Sequence, residues 1–324
     1  MPRYRRIIVV CPNGVTGGPE LLHQFVHELR LIGQNAYIAY FPFGKPHECP
    51  EVYREYAIPQ VPFEDREGDL VIVPEVLTRL LRKIRNAEAA VWWLSVDYYY
   101  QRSRESFLRD LFMRYKTLLY GRLPLHKLES YRHYAQSYYA KQYLESNGLH
   151  ALMLSDCLNT EHDDTANRDT RKNIIAYNPK KGWRKSRKLI SRNRDLSFVA
   201  IEKMSRSQVR ELLQSAMIYM DFGNHPGKDR LPREAAIAGC CVITGRQGSA
   251  ENQVDISIPD EYKLDDSTSS YLHRFRPVVD SIFSDFDKHS SEFDLYRSVI
   301  MRERETFKSQ VMELFGSLTD CREG

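Results

Sequence analysis

The sequence has no apolar run long enough to cross a membrane. Its longest apolar run lies near Ala89 to Val96, far below the roughly 20 residues that a spanning helix needs. The basic N-terminus is followed by an apolar run from Ile7 to Cys11, which is too short for a signal peptide. These two features predict a cytoplasmic protein.

Cysteine is scarce and is not arranged for disulfides or metal binding. The 324 residues include six cysteines, with no CxxC pair and no spacing typical of metal ligands. Cys11, Cys240 and Cys241 lie in apolar, strand-like runs and are interpreted as buried thiols. The chain also lacks a GxGxxG fingerprint, a Walker sequence and a clear DxD-like metal site. We therefore expect a reduced protein that needs no metal and no cofactor.

The composition is that of an ordinary soluble globular protein of about two domains. Hydrophobic residues make up 42% and charged residues 28% of the chain. A length of 324 residues corresponds to two domains at roughly 150 residues each. Strand-like and helix-like segments alternate in both halves, which predicts parallel sheets covered by helices. The fold class is therefore α/β, with two Rossmann-like, doubly wound domains that face a cleft.

The pattern of elements restarts after a polar, acidic stretch from Asn159 to Asp169, which is the best candidate for a linker. We expect an N-terminal domain over residues 1–165. A C-terminal domain should cover 166–290. A helical tail over 291–324 is expected to pack back on the first domain.

The segment from His225 to Gly245 carries the strongest functional signal. It places a glycine turn and three cations, Lys228, Arg230 and Arg233, directly before a predicted helix. Pro232 is expected at the first helical position. Helix N-termini bind anions through their unpaired amides and their dipole, so this loop is a candidate phosphate site. Glu234, in the first turn, either caps that turn or accepts hydrogen bonds from a ribose.

Three further loops follow predicted strands, where open α/β sheets bind their ligands. NPKKGW offers Lys180 and Lys181 before a helix, as a phosphate site or as a solvated basic face. NGVTGG, with Gly17 and Gly18, is a substrate-facing loop or a simple turn. Asp97 follows a buried strand, as a general base or as a helix cap.

Positive charge is unevenly distributed along the chain. The stretch from Lys180 to Arg194 holds eight cations and no acid, which favours an anionic partner. A basic amphipathic helix is predicted over 103–120. Three interpretations stay open for this helix: core packing with a solvated edge, peripheral contact with a membrane, and contact with nucleic acid.

These segments together resemble the GT-B fold of nucleotide-sugar-dependent glycosyltransferases, especially bacterial enzymes of surface-polysaccharide assembly. The resemblance rests on four segments: TGGPELLHQFVHELRLIGQNAYIAY, AQSYYAKQYLESNGL, NPKKGW and LPREAAIAGCCVITGRQGSAEN. Glu234 stands at the position of the glutamate that contacts the ribose of the donor. Retaining members usually carry a second glutamate about eight residues earlier. Here Pro226 or Gly227 lies at that distance, and Asp229 is the nearest substitute.

The resemblance implies transfer of a sugar from a nucleotide-diphosphate sugar to a glycan or lipid-linked acceptor. It implies that the transfer needs no metal ion and that retention of the anomeric configuration is favoured over inversion. It also implies that the protein works at the inner face of the cytoplasmic membrane. The domain over 1–165 would be the acceptor side, and the domain over 166–290 would bind the nucleotide sugar. Asp97 and Lys228 would be catalytic, and Gly17 and Gly18 would meet the acceptor. The donor would contact a larger set: Lys181, His225, Gly227, Arg230, Arg233, Glu234 and Ser249.

Other functions are compatible with the same sequence. A nucleotide-sugar epimerase of the same fold would need no acceptor. A DNA-modifying sugar transferase, or a nucleic-acid-binding module without enzymatic activity, would use the basic segments on phosphates.

Overall fold

The computed structural model describes residues 4–100, 121–159 and 171–316. The chain divides into two compact units, one formed by Met1–Asp156 with Glu305–Gly324 and the other by Cys157–Arg304. The expected boundary at 165/166 and the predicted helix over 103–120 lie outside the described residues. Residues of the expected tail up to Arg304 belong to the second unit, and those from Glu305 belong to the first.

The first unit contains a six-stranded parallel sheet in the order β2-β1-β3-β4-β5-β6. Its strand β1 consists of almost fully buried residues from Ile7 to Cys11, as expected for a central strand covered on both faces. The strands are β1 (Ile7–Pro12), β2 (Ala36–Phe41), β3 (Leu70–Pro74), β4 (Glu88–Trp93), β5 (Arg132–Ala135) and β6 (Ala151–Met153).

Helices connect these strands. They are α1 (Gly17–Leu31), α2 (Val96–Tyr100) and α3 (Tyr138–Glu145), with 3₁₀ helices at Glu51–Tyr56, Glu75–Lys83 and Leu125–Lys127. The sequence predicts a helix near Val76 to Arg85, and the structure has one over Glu75–Lys83, of the 3₁₀ type and interrupted by non-helical backbone at Leu77. Pro74 precedes that helix and fixes an extended entry to it.

The last described helix of the chain packs into the first unit. Phe315 lies with its ring centroid 5.3 Å from that of Phe25 and 5.4 Å from that of Tyr134. The side-chain amide of Gln34 donates a hydrogen bond of 2.8 Å to the carbonyl of Phe315. Aromatic burial of this kind accounts for the place of the C-terminal residues in the first unit.

The second unit contains a four-stranded parallel sheet in the order β10-β9-β7-β8. Its strands are β7 (Lys172–Tyr177), β8 (Ser197–Ala200), β9 (Ala216–Asp221) and β10 (Cys241–Thr244). Its α-helices are α4 (Trp183–Arg192), α5 (Arg206–Ser215), α6 (Arg230–Ile237), α7 (Tyr271–Ser284), α8 (Phe286–Ser291) and α9 (Asp294–Met301). The helix α10 (Glu303–Phe315) follows, and 3₁₀ helices cover Ser249–Glu251 and Asp260–Tyr262.

Both units confirm the prediction of two Rossmann-like α/β domains with parallel sheets. Within the second unit, α5 begins with the capping box that the sequence predicts, in which Ser205 and Gln208 bond to each other's backbone. Within the residues that the structure covers, every helix is too short or too polar to span a lipid bilayer.

Candidate functional site

The strands β7 and β9 are neighbours in the second sheet, although β8 lies between them in the chain. The chain leaves β7 toward one edge of the sheet and leaves β9 toward the other. This is a topological switch point, where open α/β sheets form a crevice beyond the carboxyl ends of the strands. Both loops that begin there, at residues 178–182 and 222–229, are predicted from the sequence as ligand loops.

The two loops pack so closely that glycine is required at their contact. Gly182 has a φ of +60°, and a Cβ there would lie 2.4 Å from the carbonyl carbon of Phe222. A Cβ on Gly223 would lie 2.7 Å from Cβ of Lys181. Side chains at either position would therefore push the two loops apart.

Ion pairs connect the loops at this contact. Lys181 Nζ lies 2.7 Å from Oδ1 of Asp229, and His225 Nδ1 lies 2.9 Å from its Oδ2. On the other side of the imidazole, Nε2 lies 3.9 Å from Oδ1 of Asp221. His225 is fully buried, so two carboxylates and one ammonium surround it away from water.

This surrounding shifts the pKa values of the group. Burial lowers the pKa of His225, but the carboxylates of Asp221 and Asp229 outweigh burial and raise it. Burial raises the pKa of Asp229, but the imidazole of His225 and the ammonium of Lys181 outweigh it and lower the pKa. The neighbouring carboxyl groups therefore favour the protonated form of the His225 imidazole.

Asp221 is a site residue that sequence analysis missed. It ends β9, and its carboxylate accepts hydrogen bonds from Gly223 N at 2.9 Å and from Tyr219 Oη at 3.1 Å. The available signal was an acidic residue at the carboxyl end of an apolar strand, IYMDF.

Two side-chain groups among the described residues have the ligand types and spacing that a metal ion needs. In the first, ligand atoms of Asp221, His225 and Asp229 lie within 4.8 Å of one another. The second consists of Glu261, His289 and Glu292. Lys181 and the imidazole already compensate the carboxylates of the first group, so its charge is balanced by protein cations.

The cations Lys228 and Arg233 meet at one buried carboxylate. Glu303 Oε1 lies 2.7 Å from Lys228 Nζ, and Oε2 lies 2.6 Å from Arg233 Nη1. Arg233 is 1% exposed and also donates to the carbonyls of Lys228 and Asp229. In this arrangement the buried guanidinium holds the backbone of the loop in place. A contact between Arg233 and a phosphate stays a prediction.

Arg230 and Glu234 pair with each other across one turn of α6. The guanidinium of Arg230 lies 3.1 Å from Oε1 of Glu234, and it donates to Oδ1 of Asn159 at 3.5 Å. Glu234 keeps 13% of its side chain exposed. The predicted ribose contact would therefore use a carboxylate that already has a cationic partner.

The helix α6 begins earlier than predicted. Arg230 is its first residue, so Pro232 occupies the third helical position rather than the first. Proline is tolerated there because the first-turn amides have no intrahelical partner. Asp229 is the N-cap, but its side chain makes no capping hydrogen bond, since it faces Lys181 and His225 instead.

Ser249 and Gly227 support the loop from the β10 side. Ser249 Oγ donates to the carbonyl of Gly227 at 2.7 Å, and its amide donates to the carbonyl of His225 at 2.8 Å. Gly248, with a φ of +63°, lets the backbone come this close, because a Cβ there would lie 2.0 Å from His225 O. The predicted donor residues Gly227, His225 and Ser249 are thus brought together.

The first unit has its own switch point between β1 and β3. Gly17 and Gly18 open α1 after β1, and a Cβ on Gly18 would meet Cδ1 of Leu94 at 3.5 Å. Asp97 lies in the short helix α2, is 6% exposed, and accepts a hydrogen bond of 2.9 Å from Tyr139 Oη. The predicted acceptor residues therefore lie at the starts of two helices that follow strands β1 and β4 of one sheet.

Glu75, which sequence analysis missed, directly follows β3. It is 2% exposed, and its Oε2 accepts a hydrogen bond of 3.0 Å from the amide of Leu94. Burial raises the pKa of this carboxyl to about 7. The glutamate ties the end of β3 to the loop that leads to Asp97.

The sequence matches no protein family model and no curated protein. The structure is similar to that of Alr3699/HepE from Anabaena in complex with UDP and glucose. That likeness has a TM-score of 0.63 at 11% identity, over 95% of this chain and 98% of that chain. Sucrose-phosphate synthase from Thermosynechococcus elongatus matches with a TM-score of 0.64 at 13% identity, over the same shares of 95% and 98%.

A third similar structure is that of the lipopolysaccharide outer core galactosyltransferase WaaB, in its apo form. Its TM-score is 0.60 at 11% identity, over 95% of this chain and 98% of that chain. The likeness to these structures shows that the chain has the GT-B fold, as the sequence resemblance predicts.

Proposed function

We propose that this protein is a glycosyltransferase that moves a sugar from a nucleotide-diphosphate sugar to a glycan or lipid-linked acceptor. One observation carries the proposal: two cation-bearing loops meet at the switch point of the second unit, at the N-terminus of α6. A diphosphate needs cations and unpaired amides at one place, and a GT-B fold provides a place for a nucleotide there. The similar Anabaena protein binds UDP and glucose.

The diphosphate contacts are assigned to Lys181, Lys228 and Arg230. Their side chains are 29%, 12% and 29% exposed, so an anion at the loop can approach them. As the glycosidic bond breaks, negative charge builds on the leaving diphosphate, and fixed cations stabilise it. This chemistry requires no metal ion. Arg233, His225, Gly227 and Ser249 act by holding the loop.

The donor must exchange places with protein carboxylates. Lys181 is paired with Asp229 and Arg230 with Glu234 before a donor binds. A diphosphate carries more charge than either carboxylate, so it competes for both cations. Release from Arg230 would leave Glu234 to accept hydrogen bonds from the ribose.

The acceptor is assigned to the first unit, near Gly17, Gly18 and Asp97. A buried carboxylate at a strand end has the position of a group that orients or deprotonates an acceptor hydroxyl. A lipid-linked acceptor would bring the protein to the inner face of the cytoplasmic membrane. Of the two stereochemical outcomes we favour retention, and the anomeric configuration of the product, read by NMR, decides it.

Binding of nucleoside diphosphates tests the proposal. We expect UDP, GDP or ADP to raise the melting temperature of the wild-type protein. Lys181→Ala should weaken that binding at least tenfold, because it removes a cation from the loop contact. Lys188→Ala is the matched control, since Lys188 is exposed within α4 and lies outside both loops.

The outcomes separate the alternatives. Transfer to an acceptor supports the proposal, whereas turnover of the donor sugar without any acceptor supports an epimerase. Saturable DNA binding, with no response to any nucleoside diphosphate or nucleotide sugar, would refute the proposed donor site.

A further inference from the structure

Glu303 pairs with two cations at the start of α6: Lys228 in the loop before the helix and Arg233 in its first turn. It is the first residue of α10 and is 4% exposed. A helix N-terminus favours negative charge, so the carboxylate is stabilised from its own helix as well as by Lys228 and Arg233. The sequence offers no sign of this role, because Glu303 lies 70 residues after Arg233.

Arg233 connects Glu303 to the backbone of the loop. Its Nε donates to Asp229 O at 3.2 Å, and its Nη2 donates to Lys228 O at 3.0 Å. A buried guanidinium keeps such a position only with a counter-ion, because an unpaired charge away from water is strongly disfavoured. Glu303 supplies that counter-ion, and through Arg233 it sets the course of the backbone that enters α6.

The same carboxylate fixes the ammonium of Lys228. That ammonium is 2.7 Å from Glu303 Oε1, and the lysine side chain is 12% exposed. A long lysine side chain is otherwise free to sample many rotamers. Holding it reduces the entropy that binding of an anion would cost.

We propose that Glu303 is the positioning residue of the donor loop. It does not touch the donor; it holds Lys228 and Arg233, and with them the loop backbone, in the geometry that receives a diphosphate. The donor part of this inference rests on the proposed function, whereas the effect on the loop itself does not.

The loop effect is measured without any ligand, by hydrogen exchange of backbone amides in the full-length protein. Glu303→Gln should speed exchange in peptides covering residues 223–234 at least tenfold. Glu305→Gln is the matched control, because Glu305 lies in the same helix, is exposed and forms an ion pair with Lys308 on the helix surface. Unchanged exchange over 223–234 in Glu303→Gln, at an unchanged melting temperature, overturns the inference.

A second variant covers the case in which Glu303→Gln unfolds. The double variant Glu303→Gln/Arg233→Met removes both buried charges. Its melting temperature should therefore lie well above that of Glu303→Gln and close to that of the wild type. Its loop should nevertheless exchange quickly, because the two carbonyls have lost their donor. A double variant with a fully protected loop refutes the positioning role.

The effect of Glu303 on donor binding is tested by measuring the Kd for UDP by calorimetry. We expect Glu303→Gln to raise the Kd for UDP at least tenfold, Glu303→Asp to fall between it and the wild type, and Glu305→Gln to stay within twofold. Tighter binding by Glu303→Gln would mean that the carboxylate competes with the donor, and equal binding would mean that it does not prepare the donor site. Either result contradicts the donor part of this inference. If the wild type binds no nucleoside diphosphate, the proposed function fails, and hydrogen exchange still decides on Glu303.

Discussion

The ammonium of Lys181 lies 2.7 Å from Oδ1 of Asp229, so the loop after β7 and the loop after β9 are joined by an ion pair. Asp229 is also the N-cap of α6, and its second oxygen faces the buried imidazole of His225. One aspartate thus holds a cation from each loop. Any anion that binds between the loops has to compete with it.

The imidazolium of His225 leads to a prediction on pH. Because its pKa is raised above 6.5 in the folded protein, it stabilises the fold fully below pH 6.5, and this contribution is lost as the pH rises through the folded pKa. His225→Gln should therefore lower the unfolding free energy most at pH 6, on the order of 2–4 kcal/mol, by leaving two buried carboxylates without their cation. Urea denaturation between pH 5.5 and 8.5 measures the difference.

His273→Gln is the control for this experiment, because His273 is exposed. If the unfolding free energy of His225→Gln stays equally far below that of the wild type above pH 6.5, His225 is neutral in the native protein.

Glu75 also predicts a loss of stability as the pH rises, but here the substitution is expected to stabilise the protein. Burial raises the pKa of this carboxyl from 4.5 to about 7, so the native state holds a proton that the unfolded state has lost. The unfolding free energy therefore falls as the pH rises from 4.5 to 7. Glu75→Gln should remove this loss and gain about 3 kcal/mol at pH 8, with little change at pH 4.5.

Chemical denaturation at the two pH values measures the gain. Glu67→Gln, an exposed glutamate of the same unit, should show no such difference. Equal effects of Glu75→Gln at pH 4.5 and pH 8 would contradict the assignment.

Substituting Gly182 and Gly148 separates the cost of left-handed backbone strain from the cost of a steric clash. Gly182→Ala introduces a Cβ 2.4 Å from the backbone of Phe222, at a φ of +60°. Gly148→Ala has a φ of +78° but meets nothing within 4 Å, so it should cost only the left-handed strain of about 1–2 kcal/mol. Gly182→Ala should cost at least twice as much and weaken binding of UDP. Similar losses in both variants would show that the loops yield without cost.

Substitution of Asp97 is expected to slow sugar transfer without weakening the binding of the donor nucleotide. Asp97→Asn should lower the kcat of transfer by a factor on the order of 100 or more if the carboxylate acts as a base. The Kd for UDP should stay within twofold, because the proposed donor contacts all belong to the second unit. Tyr139→Phe removes the hydrogen bond from Tyr139 Oη to Asp97 but leaves the carboxylate in place, so it should have a smaller effect. Full activity of Asp97→Asn would support the helix-cap interpretation instead.

Local patterns predicted much of the fold. Cys11 and Cys241 lie buried in strands, as their apolar runs predict, and the capping box of Ser205 and Gln208 begins α5. Such features depend on residues within a few positions of one another, so they can be recognised along the chain. The start of α6 was predicted two residues late, because proline is favourable at the first helical position but tolerated throughout the first turn.

The sequence by itself determined the alternation of strands and helices, and with it two parallel sheets and the loops that carry cations and glycines. Only the tertiary structure decided which charges meet. Asp229 faces Lys181, and Glu303 faces Lys228 and Arg233, although these partners lie far apart in the chain. The physical reason is that parallel strands bring distant loops to one edge of a sheet, and the spacing of residues along the chain carries no record of that meeting.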